Sequence, residues 1–549
     1  MEQLKDNMKA IKKIFLVMAL VLTGLSIGCT DSKSGKYGKH IDENLTAPTI
    51  IDDNYRNYYE IFVRSFYDSD GNGIGDLQGV IQKLDYIQDL GFTGIWLMPI
   101  NSSGSYHKYD VKDYYEIDKS YGTMDDLEEL ITECHKRDIK LILDLVINHS
   151  ALNNKWFTKS KSAHEKVMVG LKLTEDEQGW DDFYCFYDSK SEIPIGKTCQ
   201  QVAGKTYYYE CNFSSNMPEF NLDNELVHEE FKKLIKFYLD KGIDGFRLDA
   251  VKYYYVESHK KSVEFLSKFN SWVKEINPKA YIVGECWDSE EIIKQYYESG
   301  CDSFFNFTTS ANNSSSGVLN SLNQEGRMLN RYYDALVNNV TMAGDYIPAP
   351  FLDNHDMPRY TSSASPNKSK FQYALLSMMN GSTFTYYGDE VGMVGSNGGN
   401  RPDENVRIPI YWGEGGIGDC NTLSAATEND YPYAPVKDQM EDENSIYSFY
   451  KKCLLIRNQN PEIARGTITL VEMDRDEKKL LFIAKEYSGS KIGIIINFSP
   501  TENLNVDYLS AGFTQVVGQL VADTKDDKYI GLQKDKSILL PPYSIAVVK

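Results

Sequence analysis

Three carboxylates stand at or just after the ends of short apolar segments, where packing alone gives no reason for a charge. Asp249 ends the run GFRLD, Glu285 ends the run YIVGE, and Asp356 follows the apolar residues 349–352. Because an unpaired charge in an apolar core is costly, these side chains are predicted to meet in a cleft. Three carboxylates in one cleft suit glycosidic bond cleavage, with a nucleophile, a general acid/base and a group that holds the sugar.

The neighbours of these carboxylates indicate how the roles divide. Arg247 lies two residues before Asp249, on the same side of a strand, and would keep that carboxylate ionised. Glu285 stands near Trp287 in an apolar setting, where it would hold its proton longer. Two carboxyl groups about 5–5.5 Å apart would give a retaining reaction through a covalent glycosyl-enzyme.

Eight short buried strands separated by helices are predicted to position these groups. Val80, Leu84 and Ile87 recur at helical spacing before Gly91, and Thr123 opens a later helix with a capping box. This alternation predicts an α/β fold, a (β/α)8 TIM barrel, in which catalytic groups lie at the carboxyl ends of the strands. The predicted strands are 58–63, 93–97, 141–147, 245–249, 281–285, 302–307, 349–352 and 382–387.

Two segments interrupt or follow the barrel pattern. Residues 150–222 break the rhythm after the third strand and predict an inserted domain, which leaves residues 51–149 and 223–459 for the barrel. Residues 460–549 contain alternating strands without helices, such as 479–484 and 491–497, and predict a C-terminal antiparallel β-sandwich. Residues 30–50 are polar and are predicted to form a linker.

The N-terminus has the pattern of a secretory signal. Lys9, Lys12 and Lys13 precede the apolar run 14–27, which ends at Gly28 and Cys29. The run is shorter than a spanning helix requires, so an uncleaved anchor is the second interpretation. The ending resembles the lipobox of bacterial lipoproteins, which implies that residues 1–29 are a lipoprotein signal peptide. The protein is then expected to be secreted and held at the cell surface by a lipid on Cys29, its only membrane contact.

Composition and cysteine usage exclude some functions. Acidic residues outnumber basic ones 79 to 58, and the net charge of −21 would repel a nucleic-acid backbone. A neutral or cationic ligand is expected instead. No CxxC pair occurs, so a zinc site is not indicated. Cys185, Cys199 and Cys211 lie close enough in sequence for a disulfide, with free thiols as the alternative. The oligomeric state stays open.

A separate pattern indicates a metal. In the loop of residues 68–76, oxygen-bearing side chains occur at every second position among glycines that allow a tight wrap. This is the arrangement that Ca²⁺ prefers, and it resembles the first half of an EF-hand. A structural Ca²⁺ site is predicted, with a solvated acidic turn as the alternative. The predicted ligand positions are Asp68, Asp70, Asn72, Ile74 and Asp76.

Four segments together resemble the signature regions of the α-amylase family, glycoside hydrolase family 13. They are DLVINH at 144–149, GFRLDAVKY at 245–253, GECW at 284–287 and FLDNHD at 351–356. The segments GIWLMP at 94–99, MPEFN at 217–221 and YYGDE at 386–390 extend the likeness over nearly everything after residue 55.

The resemblance implies a role for each matching residue. Asp249 would be the nucleophile, Glu285 the acid/base and Asp356 the transition-state stabiliser, and Tyr109 would stack beneath the cleaved sugar. Further substrate contacts are implied for His107, His149, Arg247, Lys252 and His355. The insertion then corresponds to the family's domain B and the tail to its domain C.

The expected substrate is an α-glucan, cut at internal α-1,4 bonds as in starch or maltodextrin. Exo-acting relatives tend to carry Asp three residues before the stacking tyrosine, and Tyr106 at that position favours an endo-acting cleft. An exo-acting α-glucosidase, or an α-1,6-acting or neopullulanase-like enzyme, is the alternative within the family. A glucan-binding surface protein without activity is the alternative outside it.

Overall fold

The computed structural model describes residues 36–41, 48, 50–310, 328–395, 402–415, 418–423, 433–473, 479–523, 525 and 528–549. Within them, eight parallel strands form one sheet in which the first seven strands pair in chain order and the eighth pairs with the first. A parallel bridge between Phe351 and Phe384 closes the barrel between the seventh and eighth strands. The barrel strands are Asn57–Ile61, Gly94–Leu97, Lys140–Leu145, Gly245–Leu248, Tyr281–Gly284, Ser303–Asn306, Ala349–Pro350 and Thr383–Tyr386. The predicted (β/α)8 barrel is confirmed.

Helices cover the outside of the barrel and bury their apolar faces against it. The predicted capping box is present, since Thr123 and Asp126 each accept a backbone N–H of the other. Gly91 ends its helix in the left-handed region, with φ 98°. The barrel helices are Leu77–Gln82, Leu84–Leu90, Met124–His135, Glu225–Asp240, His259–Ile276, Glu290–Tyr296, Met328–Ala343, Pro366–Ser377 and Ile446–Gln459, with shorter helices at Pro402–Val406, Val436–Glu441 and Glu462–Arg465.

Two inserted segments, one after the second and one after the third barrel strand, lie at the carboxyl end of the barrel. An antiparallel pair, Asn101–Ser103 with Val111–Ile117, carries the loop that contains Tyr109. After the third strand the chain forms helix Lys155–Met168 and a three-stranded sheet of Phe186–Tyr187, Tyr208–Glu210 and Cys199–Gln201. A backbone bridge between His149 and Glu219 ties this segment to the barrel rim.

The C-terminal segment contains two antiparallel sheets. Five strands pair in the order Thr467–Met473, Leu480–Tyr487, Ser490–Asn497, Ser544–Val548 and Val516–Val521, and the second sheet contains Leu504–Val506, Gly531–Leu532 and Ile538–Leu540. Phe482 and Ile495 of one sheet and Ile538 and Leu540 of the other belong to one buried apolar cluster. The two sheets therefore pack face to face, as in a sandwich.

Part of the N-terminal segment forms regular structure. Within the predicted linker of residues 30–50, Lys39–His40 forms a strand that pairs antiparallel with Gly531–Leu532. Tyr37 is buried beside it, in edge contact with Tyr529. This part is ordered because it extends the C-terminal sheet, a pairing that two polar residues do not reveal by pattern. The whole predicted signal peptide, residues 1–29, lies outside the described residues. No described helix is long and apolar enough to span a bilayer.

Candidate active site

The residues predicted to carry chemistry come together at the carboxyl end of the barrel. Most of them line a cleft of about 680 Å³ that opens to solvent, whereas Arg247 and His355 are fully buried against the lining residues Asp249 and Asp356. Aromatic side chains form part of its wall, as expected where a neutral polar ligand binds. The lining residues are His107, Tyr109, His149, Phe213, Ser214, Met217, Asp249, Ala250, Lys252, Tyr253, Glu285, Trp287, Asp356, Asp403 and Arg407.

Arg247 is the centre of the charge arrangement. Its side chain is fully buried and projects from the fourth barrel strand between two neighbours, next to Asp144 of the third. Its Nη1 donates to Asp144, at 2.8 and 3.0 Å, and to Asp249, at 2.8 Å. Its Nη2 donates to Glu285 at 2.8 Å. One guanidinium therefore fixes three carboxylates by charge-assisted hydrogen bonds.

Glu285 is held on its other side by the backbone. The N–H of Ala250 donates to Glu285 Oε2 at 2.9 Å, and Ala250 has φ 46°, a left-handed conformation that is rare for alanine. Burial raises the pKa of Glu285, and the charge of Arg247 only partly opposes this shift. The carboxyl group therefore retains a proton at higher pH than an exposed glutamate, as a general acid requires.

Asp356 has two cationic neighbours. Arg407 Nη2 lies 2.6 Å from Asp356 Oδ1, and His355 Nε2 lies 3.1 Å from Oδ2. Burial alone would raise the pKa of Asp356, but His355 and Arg407 outweigh it and hold that pKa well below its usual range. Asp356 is therefore ionised throughout the neutral range, whereas the pKa of Glu285 is shifted in the opposite direction.

The remaining predicted substrate contacts also reach the cleft. Burial lowers the pKa of His107 to about 4 and also lowers that of His149, so both rings are neutral at pH 7. His149 Nε2 is buried and has no hydrogen-bond partner among the described residues. Tyr109 stacks on His355 and donates its hydroxyl to Asp144 at 3.1 Å. Lys252 donates to the carbonyl of Trp287 at 2.5 Å.

Four residues near these carboxylates were not predicted from the sequence. Arg407 and Asp403 come from a segment after the eighth barrel strand and meet Tyr106, whose hydroxyl bonds to Asp403. No spacing relative to the four motifs indicated them. Glu60 bonds to His355 from inside the first strand. A carboxylate within the buried run YYEIFV is the same signal that found Asp249, and it could have been used here. Phe213 joins the cleft from the insertion.

Comparison with known proteins assigns the family. The model described as "Alpha amylase, catalytic domain" matches residues 60–466. Alpha-amylase 3 of Dictyoglomus thermophilum is 36% identical over 510 residues, which cover 90% of this chain and 93% of that protein. The chain belongs to the α-amylase family. It is therefore a glycoside hydrolase, and its barrel is the catalytic domain of that family.

Two further proteins similar to this α-amylase family chain are a solved structure and an enzyme named for a different glycosidic bond. The solved structure titled "Eubacterium rectale Amy13B" superposes with a TM-score of 0.83 and 39% identity, covering 91% of this chain and 96% of that one. The oligo-1,6-glucosidase of Bacillus sp. strain F5 is 28% identical over 523 residues, 79% of this chain and 97% of that enzyme. Overall similarity therefore identifies the family, but it does not identify which glycosidic bond is cleaved.

The predicted metal loop of this α-amylase family chain brings three carboxylates together. Asp68, Asp70 and Asp76 each offer an oxygen, and these oxygens lie within 4.8 Å of one another. That spacing fits Ca²⁺, whose oxygen ligands stand 2.3–2.6 Å from the ion, on the order of 5 Å apart across it. Asn72 is in the same loop, but its side-chain oxygen accepts the N–H of Ile74 at 2.8 Å.

The cysteines of the described residues carry free thiols. Cys185 and Cys199 are half-buried and Cys211 is buried, and none of the three forms a disulfide. Burial raises the pKa of Cys199 to about 12 and that of Cys211 to about 11. These thiols are therefore protonated at neutral pH.

Proposed function

We propose that the protein hydrolyses internal α-1,4-glucosidic bonds of starch or maltodextrin with retention of anomeric configuration. The observation that supports the proposal is the guanidinium of Arg247. One of its nitrogens donates a hydrogen bond to Asp249 and another donates to Glu285. Two carboxylates on one guanidinium are close neighbours, which suits the separation of about 5–5.5 Å that a double displacement requires.

The two carboxyl groups then act in sequence. Glu285 donates its proton to the glycosidic oxygen while Asp249 attacks the anomeric carbon, which releases the leaving chain and forms a covalent glycosyl-enzyme. Glu285, now ionised, takes a proton from water, and the resulting hydroxide displaces Asp249. Arg247 stabilises Asp249 when it leaves as a carboxylate.

The other side chains bind the sugar at the cleavage point. Asp356 remains ionised between His355 and Arg407, so it is suited to accept sugar hydroxyl protons. His149 has a free ring nitrogen facing the same cleft. Tyr109 offers a ring as a stacking surface. These contacts strengthen as the sugar flattens towards an oxocarbenium ion.

The walls of the cleft support an extended glucan. Phe213, Tyr253 and Trp287 are 42%, 37% and 38% exposed, and all three line the cleft near Glu285. Exposed aromatic rings are suited to bind successive sugar units beyond the cleaved bond. This favours endo action on a chain longer than a disaccharide.

One observation favours the exo-acting or α-1,6-acting alternative. Asp403 pairs with Arg407 and Tyr106 beside Asp356, so a carboxylate does stand near the sugar site although Tyr106 replaces the expected Asp. A charged cluster there would close the cleft around a chain end. The oligo-1,6-glucosidase relative is consistent with this reading.

A product time course separates the two candidates. Purified protein is incubated with amylose, pullulan and isomaltose, and the products are sized at early times. Endo action predicts mixed-length maltodextrins from amylose, whereas glucose alone, or rapid cleavage of isomaltose, would replace the first proposal with the second.

Substitution of the nucleophile tests the mechanism. Asp249→Asn should reduce the release of reducing sugar more than about 10³-fold, because no covalent intermediate can form. Binding of amylose should survive. Asp223→Asn, which changes an exposed carboxylate outside the cleft, is the matched control. Normal hydrolysis by the Asp249 variant would show that another residue is the nucleophile.

Two finer features belong to the same proposal. A Ca²⁺ ion held by Asp68, Asp70 and Asp76 would stiffen the loop after the first barrel strand. A lipid on Cys29 would hold the enzyme at the outer face of the cytoplasmic membrane, where the substrate is accessible. If a Cys29→Ala form stayed in the membrane fraction, the lipid anchor would be wrong.

A further inference from the structure

Glu60 is a buried carboxylate next to the carboxyl end of the first barrel strand, Asn57–Ile61. It is 1% exposed, and the mechanism above gives it no task. Within the described part of the chain, its carboxylate bonds to one side chain, through Nδ1 of His355, 295 residues away in sequence. Glu60 therefore reaches the sugar site from behind, through the ring of His355.

The other nitrogen of that ring also faces acceptors. His355 Nε2 lies 2.7 Å from the hydroxyl oxygen of Tyr109 and 3.1 Å from Asp356 Oδ2. The Tyr109 hydroxyl lies 3.1 Å from Asp144 Oδ2, and when it donates there its oxygen is left to accept from the ring. The ionised Asp356 can only accept, so its contact favours a hydrogen on Nε2.

Two protonation patterns satisfy these contacts. Either Nδ1 also carries a hydrogen and donates to a Glu60 carboxylate, or Glu60 is protonated and donates to a neutral ring. The charged groups around His355 are the carboxylates of Glu60, Asp356 and Asp144 and the guanidinium groups of Arg247 and Arg407, with Tyr109 on its open face.

Charge and geometry favour the first pattern. Asp356 and Glu60 contact the ring directly, whereas Arg407 meets residue 355 only at its backbone carbonyl, 2.9 Å from Nε. Burial alone would lower the pKa of His355, but the two carboxylates outweigh it and raise that pKa to about 9.

We propose that Glu60 is a positioning residue that keeps His355 as an imidazolium, so that both ring nitrogens donate and Asp356 stays fixed and ionised for sugar binding. The inference rests on the proposed function and deepens it. Glu60 touches neither substrate nor reacting atoms; it acts through His355. The positive charge strengthens the attraction between His355 Nε2 and Asp356 Oδ2, 3.1 Å apart, relative to a neutral ring.

Glu60→Gln removes the negative charge of the side chain while keeping its shape. The amide has nearly the same volume and can donate its own N–H to Nδ1, so a neutral ring with the hydrogen on Nε2 becomes the favoured state. The geometry at Asp356 is then retained while the positive charge is lost. Glu390→Gln is the matched control, because Glu390 is equally buried near the barrel rim but accepts from the hydroxyls of Tyr59 and Tyr86.

The protonation state is measured by NMR on full-length protein with ¹⁵N-labelled histidine, at pH 7.5. The chain has eight histidines, and the His355 signals are identified by their loss in His355→Gln. The proposal expects two imidazolium nitrogens in the wild type and in the Glu390 variant, and a neutral ring in Glu60→Gln. A neutral ring in the wild type, or an imidazolium that survives in Glu60→Gln, overturns it.

Kinetics on maltodextrin test the consequence. At pH 8, kcat/KM of Glu60→Gln should be about tenfold below the wild type, the scale of one charge-assisted hydrogen bond compared with a neutral one. Equal kcat/KM values overturn the positioning role. If instead the wild type releases no sugar from any α-glucan, the proposed function fails, while the NMR measurement still decides the state of His355.

Discussion

Replacing Arg247 with methionine tests the charge arrangement most directly. The guanidinium is fully buried and donates to three carboxylates, at 2.8–3.0 Å. Methionine fills similar space without charge, so Asp144, Asp249 and Glu285 remain buried with no counter-ion at this position. Removing one partner of a buried ion pair costs about 3–5 kcal/mol.

That free energy converts to a measurable shift. An unfolding entropy of about 2.1 cal/mol/K per residue gives roughly 1 kcal/mol/K for this chain of 549 residues. Arg247→Met should therefore lower Tm by about 3–5 °C at pH 7 in differential scanning calorimetry. Its kcat on maltodextrin should fall at least about 100-fold, because a group that stabilises charge in the transition state is lost.

The stability loss should depend on pH with a definite sign. Arg247 opposes the burial that raises the pKa of Asp144, to about 7, and of Glu285. Without it, both pKa values rise further above their unfolded values of about 4, so the folded state binds more protons. In the variant, the contribution of these two carboxyl groups to folding stability is complete below pH 4, and it is lost as the pH rises through their folded-state pKa values. The deficit relative to wild type should widen from pH 4 to pH 8.

Arg137→Met provides the control, since it removes two ion pairs at the surface, one with the exposed Asp85 and one with Glu133. Such pairs contribute about 0–1 kcal/mol, so its Tm should change by less than about 1 °C. The reasoning is refuted if Arg247→Met is as stable as this control at pH 7, or if its deficit is constant between pH 4 and pH 8.

Two further predictions concern stability away from the cleft. A chelator should lower Tm by about 2–3 °C, the effect of losing a ligand present at about 100 times its Kd, and Asp68→Asn should abolish this response; an unmoved wild-type Tm would argue against the calcium site. Lys485 is buried between the barrel and the C-terminal sheets, where burial and the charge of Arg457 lower its pKa well below the usual value. The Lys485 amine binds fewer protons in the folded protein than in the unfolded chain, so the stability of the wild type should rise relative to that of Lys485→Met between pH 7 and pH 10. A Tm difference between the two proteins that does not change with pH would contradict this.

Much of the barrel could be predicted because its signals are local. Each buried strand is a short apolar run, and each carboxylate after such a run is visible within five residues of sequence. Asp249 and Glu285 were found in this way, as was the capping box at Thr123. The strand at Lys39–His40 was missed because its partner lies almost 500 residues later and two polar residues carry no periodicity.

By itself, the sequence determined which residue types end the barrel strands, and therefore the chemistry available to the cleft. Tertiary structure decided which of those groups lie close enough to form hydrogen bonds or ion pairs. The contact of Glu60 with His355 and that of Arg407 with Asp356 exist only because the barrel closes its first strand beside its eighth and brings the following segment over the rim. The physical reason is that protonation depends on burial and on neighbours within a few ångströms, which spacing along the chain does not specify.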